Sequence, residues 1–364
     1  MSDIQETCYP VRTMRLRLFL SLSLVAWLQV FCQQPTSVPS ASILPKDPRA
    51  ILEAARAHYN FTDPSLKPWH LKASYRLNDA NGQLDQQGTW EYWWASPSVH
   101  RSSVTRQGES HSEWALANGT VYKKFDGVPL KYFERNLDTI LLRQLPQQSF
   151  IEAGKSSLGL KMIGKGSSST ACVTSASLPL KPIAVQDYYC FDPTTLALIE
   201  RFTDPIDYRY GQFVKMGDHY IPRQTIVTIE KRAALTISIE AIEVIDARNP
   251  AFIPATDAVL VHDAAPRGVF ENSVFEQVKM FMKKMPPVYP QAAKKQRIQG
   301  AVVLGVTIGA DGKIRDLEVL GSSSPLFSKS ASDYVKNWEF RTFTFNGQPV
   351  EVETRIVIHY TMSG

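Results

Sequence analysis

From Trp69 onward the chain is written in strands. In WHLKASYRL the residues Trp69, Leu71, Ala73, Tyr75 and Leu77 recur at period two, which places them on one face of a strand. Asn81-Gly82 is a turn pair, and GTWEYWWASP follows as a second strand. The same texture continues through SVHRSSVTRQ, SEWALANGTVYKKF, ALIERFT, YIPRQTIVTIE and LTISIEAIEVI. In the last of these, Leu235, Ile237 and Ile239 share a phase that Ile242 and Val244 break, the mark of a β-bulge. A run of this kind predicts one large antiparallel sheet, and such a sheet must bury a face.

Two helices supply the cover. Asp47-Pro48 reads as a cap followed by proline at the first helical position, opening RAILEAARAHY. The second, ERNLDTILLRQL, carries Leu137, Ile140, Leu141 and Leu145 on a stripe before Pro146. Trp90, Tyr92, Trp93 and Trp94 make one strand apolar on both sides. Two readings fit it: a central strand covered on both faces, or the wall of a hydrophobic cavity for a lipid or acyl chain.

The N-terminus points to export. Arg15 and Arg17 precede an apolar run from Leu18 to Cys32, and the polar segment QQPTSVPSAS follows, the pattern of a secretory signal. The run falls short of the roughly 18–20 residues that span a bilayer, and a retained anchor is the alternative. Met14 is a candidate start. Cys32 raises lipid attachment, against which stands the bulky Phe31 before it. In an oxidising compartment Cys172 and Cys190, on two short strand-like runs, pair as a disulfide; two buried free thiols are the alternative. Neither has a partner at metal-ligand spacing. The net charge of +5 is mild, and the chain lacks a basic helix, finger or RNA-binding signature, which argues against a nucleic-acid partner.

The exported alanine-rich helix, the strand–turn–strand with Trp and Tyr, YCFDPTTLALIERF and the long final hairpin resemble the LolA/LolB-type lipoprotein carriers. That resemblance implies an incomplete barrel folded around helices, with lipid held in its concavity. The implied organisation is a signal peptide or N-terminal anchor with its exit segment over 1–46, a half-barrel over 47–248, a linker over 249–274 marked by Pro250, Pro254 and Pro266, and a C-terminal unit over 275–364.

The C-terminal unit has its own pattern. Val302, Leu304, Val306 and Ile308 alternate, Asp311-Gly312 turns the chain, and Ile314 to Leu320 returns. Ser324 caps a helix with Pro325 at its first position, and Phe327, Ala331, Val335 and Trp338 line one side. After the Asn346-Gly347 turn, the last strand sets Val350, Val352, Thr354, Ile356, Ile358 and Tyr360 inward and Glu351, Glu353, Arg355 and His359 outward. The fold class is therefore α+β: a signal segment, a large antiparallel half-barrel sheet with helices, and a small β-β-α-β domain.

This unit closely resembles the TonB C-terminal domain family, through Pro287-Val288-Tyr289-Pro290 with Ala293, Ile298-Gln299-Gly300, Asp311-Gly312-Lys313-Ile314, Trp338-Glu339-Phe340 and Asn346-Gly347-Gln348-Pro349-Val350. Thr342-Phe343 departs from the proline usual there. The resemblance implies that Tyr289-Pro290 packs across the sheet and anchors the domain. It also implies that the last strand, from Val350 to Tyr360, is an edge that takes up an extended segment of an outer-membrane receptor or another envelope protein. A basic stretch, Lys279, Lys283, Lys284, Lys294, Lys295 and Arg297, is either a solvated face or a contact for anionic lipid.

Catalytic patterns are missing from the sequence. The seven histidines are scattered, with no nucleophile elbow, phosphate loop or zinc spacing, so the expectation is a non-enzyme without cofactors. Two functions remain: a TonB-like periplasmic envelope protein that binds by strand addition, with a place in TonB-dependent transmembrane transport, and a periplasmic lipid or lipoprotein carrier. The apolar run lacks a histidine and no extended Glu-Pro/Lys-Pro stalk follows it, which argues against force transduction.

Overall fold

The computed structural model describes residues 44–145, 156–164, 169–177, 186–261, 281–283, 287–345 and 347–362. The predicted signal or anchor, with Met14 and Cys32, lies outside these residues, as do Lys279, Lys284 and linker residues 262–274.

α1 (Pro48–Tyr59) begins where Asp47 accepts a hydrogen bond from the Arg49 amide, with Pro48 at the first position. Five strands follow as a meander: β1 (Trp69–Asn78), β2 (Leu84–Ser96), β3 (Val99–Arg106), β4 (Glu109–Ala115) and β5 (Val121–Phe125). Two short helices come next, α2 (Tyr132–Arg135) and α3 (Leu137–Leu142). A second meander comprises β6 (Ser156–Ile163), β7 (Thr170–Ser177), β8 (Gln186–Phe191), β9 (Leu198–Thr203), β10 (Ile206–Met216), β11 (His219–Ile229) and β12 (Arg232–Val244). Pairing of β1 with β12 joins the two meanders, and β13 (Val259–Val261) adds to β5, giving the order β13-β5-β4-β3-β2-β1-β12-β11-β10-β9-β8-β7-β6. The phase break in the last long strand is a register shift: Ala73 pairs with Ile239 and Lys72 with Ala241, leaving Glu240 over.

The alternation in β1 becomes the core. Trp69, Leu71, Ala73, Tyr75 and Leu77 are all buried, and Trp94, Tyr92 and Trp90 of β2 stand opposite Trp69, Leu71 and Ala73. Of the two readings of the aromatic strand, burial on one face is complete, with Trp90, Tyr92 and Trp94 at 0, 5 and 1 % exposure. On the other face Trp93 is half-buried, stacked between His70 and the Arg101 guanidinium. α1 packs against β6, β7 and β11. Cys172 and Cys190, directly opposite each other on β7 and β8, form a disulfide.

The single helix expected over residues 134–145 is instead α2 and α3, broken at Asn136. That side chain bonds back to the Tyr132 carbonyl at 2.7 Å and ends the first helix there. What holds α2 is Glu134, whose side chain is fully buried. It accepts from Tyr75 Oη at 2.5 Å, from Arg106 Nη1 at 2.6 Å and from the Lys131 amide at 2.8 Å. Arg106 in turn donates to the carbonyls of Val128 and Pro129. Burial and the neighbouring Glu134 push the Tyr75 phenol up, so the hydroxyl stays protonated and donates.

The C-terminal unit is built around β15 (Gly300–Ile308), preceded by β14 (Phe281–Lys283) and the short helix α4 (Gln291–Lys295). It continues through β16 (Ile314–Ser322), α5 (Pro325–Val335), β17 (Glu339–Phe340), β18 (Phe343–Phe345), β19 (Gln348–Val350) and β20 (Val352–Tyr360). The main sheet has the order β16-β15-β20. Gly312 turns the β15–β16 hairpin at φ +77°, and a Cβ there would sit 2.1 Å from the Phe340 carbonyl oxygen, so the position demands glycine twice over. Ser324 caps α5 through the Leu326 amide, and Phe327, Ala331, Val335 and Trp338 are buried against the sheet.

Replacing Glu134 by alanine leaves the buried Arg106 with only its longer pair to Glu109, at 3.8 Å. The expected loss is about 3–5 kcal/mol of stability, read from urea unfolding; a loss below about 1 kcal/mol would show that α2 is held by other contacts.

Candidate functional site

β20 is the candidate binding element. It pairs with β15 along its whole length, from Val352 opposite Ile308 to Tyr360 opposite Gly300. Its other flank carries no strand among the described residues, so β20 is a sheet edge. Val352, Thr354, Ile356, Ile358 and Tyr360 are buried, at 2–9 % exposure, in the core beneath α5. What this edge offers a partner is accordingly its backbone N–H and C=O groups, with those five side chains serving as foundation. Val350 stands apart: it belongs to β19, which pairs with β18 in a separate small hairpin.

Tyr289 fixes the end of this strand. Its ring meets Phe327 and Tyr360 edge-on at 5.5 and 5.7 Å, while Phe327 and Tyr360 stack at 4.2 Å. The Tyr289 hydroxyl donates to the Ile298 carbonyl. Pro290 is the residue before α4 and starts that helix. Lys294, Lys295 and Arg297 are exposed beside it.

The charged face of β20 does not point to solvent, as its alternation implied. It is turned toward the large sheet. Arg135 Nε donates to Glu353 Oε1 at 2.5 Å, Asn136 Nδ2 donates to Glu353 Oε2 at 3.1 Å, and Arg135 also pairs with Asp316 of β16 at 3.4 Å. Arg355 donates to Tyr208 Oη, and His359 lies 3.4 Å from Asp204. Glu351 alone among the four charged positions is exposed.

Apolar contacts and backbone bonds complete this interface. Val303 and Leu320 are buried in the core of the large sheet, with Val357 packed beside them. Gly305 lets Tyr132 lie on β15; a Cβ there would come within 2.6 Å of the Tyr132 ring. The Tyr132 amide donates to Glu318 at 2.8 Å. At the tip of the β11–β12 hairpin, Glu230 accepts from the Ala301 amide at 3.1 Å, and Arg232 donates to the Ser322 carbonyl at 2.5 Å. Burial raises the carboxyls of both Glu318 and Glu230 above the usual range, and the backbone bonds they accept pull partly the other way.

Residues 285–362 match the family described as the Gram-negative bacterial TonB protein C-terminal domain. The C-terminal unit is TonB-like. The TonB protein of Xanthomonas campestris pv. campestris (strain B100) is 32 % identical over 79 residues, which is 21 % of this chain and 35 % of that protein. This chain therefore spans about a third of the length of that relative. The solution structure of the Pseudomonas aeruginosa TonB C-terminal domain is similar at 28 % identity and a TM-score of 0.21, covering 23 % of this chain and 86 % of the other. A LolA superfamily protein from Nitrosomonas europaea is similar at 9 % identity and a TM-score of 0.36, covering 57 % of this chain and 97 % of the other.

Among the described residues no group of three or more His, Cys, Asp or Glu side chains is arranged to hold a metal, and no helix is long and apolar enough to cross a membrane. The sequence shows a strand at residues 352–360 and the Tyr289-Pro290 segment, but gives no sign that Arg135, Asn136, Asp204, Tyr208, Glu230 and Arg232 meet the C-terminal unit. Arg135 and Glu353 are 218 residues apart in sequence, and neither stands in a motif that pairs them.

A carboxyl whose folded pKa is raised binds protons more readily in the folded state, so its contribution makes stability rise as pH falls toward the unfolded value of 4.5. Glu318→Gln should remove part of this slope: between about pH 7 and about pH 4.5 the wild type gains stability relative to the variant. Parallel pH profiles for the two would show that Glu318 does not titrate in the interface.

Proposed function

We propose that this chain is a TonB-like cell-envelope protein that binds an extended segment of an envelope partner as an added strand on β20. The observation that carries the reading is an edge strand of nine residues, paired on one flank and lying inside the residues that match the TonB family. Such an edge presents donors and acceptors at regular spacing, and an extended chain satisfies them while supplying its own. The partner class is a periplasmic segment of an outer-membrane receptor, and the setting is the periplasm, in TonB-dependent transport. The role is one of binding and positioning, not catalysis. The carrier alternative needs open apolar space on the buried face of the large sheet. Of the four residues read as its wall, Trp90, Tyr92 and Trp94 are packed into the core, while Trp93 is half-buried on the opposite face.

Hydrogen exchange on the full chain tests this. Adding a peptide from the periplasmic segment of a candidate receptor should slow exchange at alternate amides of residues 352–360, those facing away from β15. Slowing confined to β13, β6 or another edge, with β20 unchanged, would reject strand addition at this site.

A further inference from the structure

The TonB-like sheet has two free flanks among the described residues, and they differ. β16 pairs with β15 through two bulges that leave Leu320 and Arg315 over, and bulges bend an edge away from further pairing. β20 pairs with β15 over nine residues without a shift, so its outer flank is a regular template. Which of its groups point outward follows from Ala301 of β15. The Ala301 amide donates to Glu230 at 3.1 Å and its carbonyl accepts from the Ser323 amide at 3.0 Å, so this residue's backbone faces away from β20. Backbone direction alternates along a strand, so Gly300, Val302, Leu304, Val306 and Ile308 face β20. Tyr360, Ile358, Ile356, Thr354 and Val352 stand opposite them and are committed to that ladder. Glu353, Arg355, Val357 and His359 therefore turn their N–H and C=O groups outward.

The same four residues send their side chains to the large sheet and α2. Glu353 accepts from Arg135 at 2.5 Å and from Asn136 at 3.1 Å. Arg355 donates to Tyr208 Oη, Val357 packs against the large sheet's core, and His359 lies 3.4 Å from Asp204. An edge already held in line when a partner arrives spares the ordering cost of pairing. We propose that Arg135, Asn136, Tyr208 and Asp204 are positioning residues for partner binding. They stand outside the partner's ladder, yet by holding the side chains of Glu353, Arg355 and His359 they align the backbone positions that receive the added strand. On this view the large sheet sets the affinity of the TonB-like edge. The inference rests on the strand-addition reading.

The test uses the full chain, with a peptide from the periplasmic segment of a candidate receptor as the probe. Tyr208→Phe removes the hydroxyl that Arg355 reaches and keeps the buried ring. Arg135→Gln removes the charged donor to Glu353. Each should weaken peptide binding, measured by calorimetry, about three- to tenfold. The control is Tyr188→Phe, which deletes a similar hydroxyl bond, to Glu200 at 2.9 Å, on the opposite face of the large sheet from Tyr208. It should leave binding unchanged. In the wild type, hydrogen exchange should show the peptide slowing the amides of residues 353, 355, 357 and 359. If those amides are protected but Tyr208→Phe and Arg135→Gln both bind as the wild type does, positioning is wrong and strand addition stands. Equal weakening in all three variants also overturns it, because lost stability alone would then account for the effect. Should Arg135→Gln fold poorly, Tyr208→Phe and its control decide alone. Protection of amides 354, 356 and 358 instead would overturn the register and the positioning built on it. Protection on β16 only, or nowhere, means that strand addition at β20 itself fails.

Discussion

A single buried carboxylate anchors α2, one of the pieces that join the two layers of this protein. Glu134 sits at the bottom of α2, gripped by Tyr75 and Arg106 of the large sheet. Tyr132 and Arg135 of the same short helix, with Asn136 at its end, reach the opposite way and hold β15, β16 and β20. Four residues of helix have little stability of their own. α2 exists because both of its sides are bound, and its position sets the position of the TonB-like sheet.

The TonB-like sheet therefore has two different faces. One is covered by α5 and closes a core of its own. The other contributes Val303 and Leu320 to the core of the large sheet, with ion pairs and backbone bonds around them. With both faces covered, the sheet keeps unpaired backbone at its two edges, the outer flanks of β16 and β20. The apolar part of the docking and the bonds to Glu230 and Arg232 resist salt better than the ion pairs do, because screening weakens the half-exposed charges first.

Much of this was legible in the sequence where the pattern is local. Period-two alternation identified β1, β2, β15 and β20, since a strand with one buried face repeats its apolar residues every second position. Leu235 to Val244 gave away its bulge through a broken phase, and Ser324-Pro325 gave away the start of α5. The misreadings came where tertiary contacts override local pattern. Residues 134–145 carry a helical stripe, yet the Asn136 side chain takes the Tyr132 carbonyl and also binds Glu353, so the helix breaks. Glu353, Arg355 and His359 look like a solvent face because charged residues usually are one. Here the polar groups that satisfy them come from 147 to 218 residues away in the chain. Val350 continued the alternation of β20 on paper but belongs to another hairpin, the strand being interrupted at Glu351.

Differential scanning calorimetry of the full chain tests the central claim, that the TonB-like unit and the large sheet are one cooperative body built across α2. The account predicts a single unfolding transition whose calorimetric and van't Hoff enthalpies agree. Two separated transitions, with the smaller one melting independently, would contradict it.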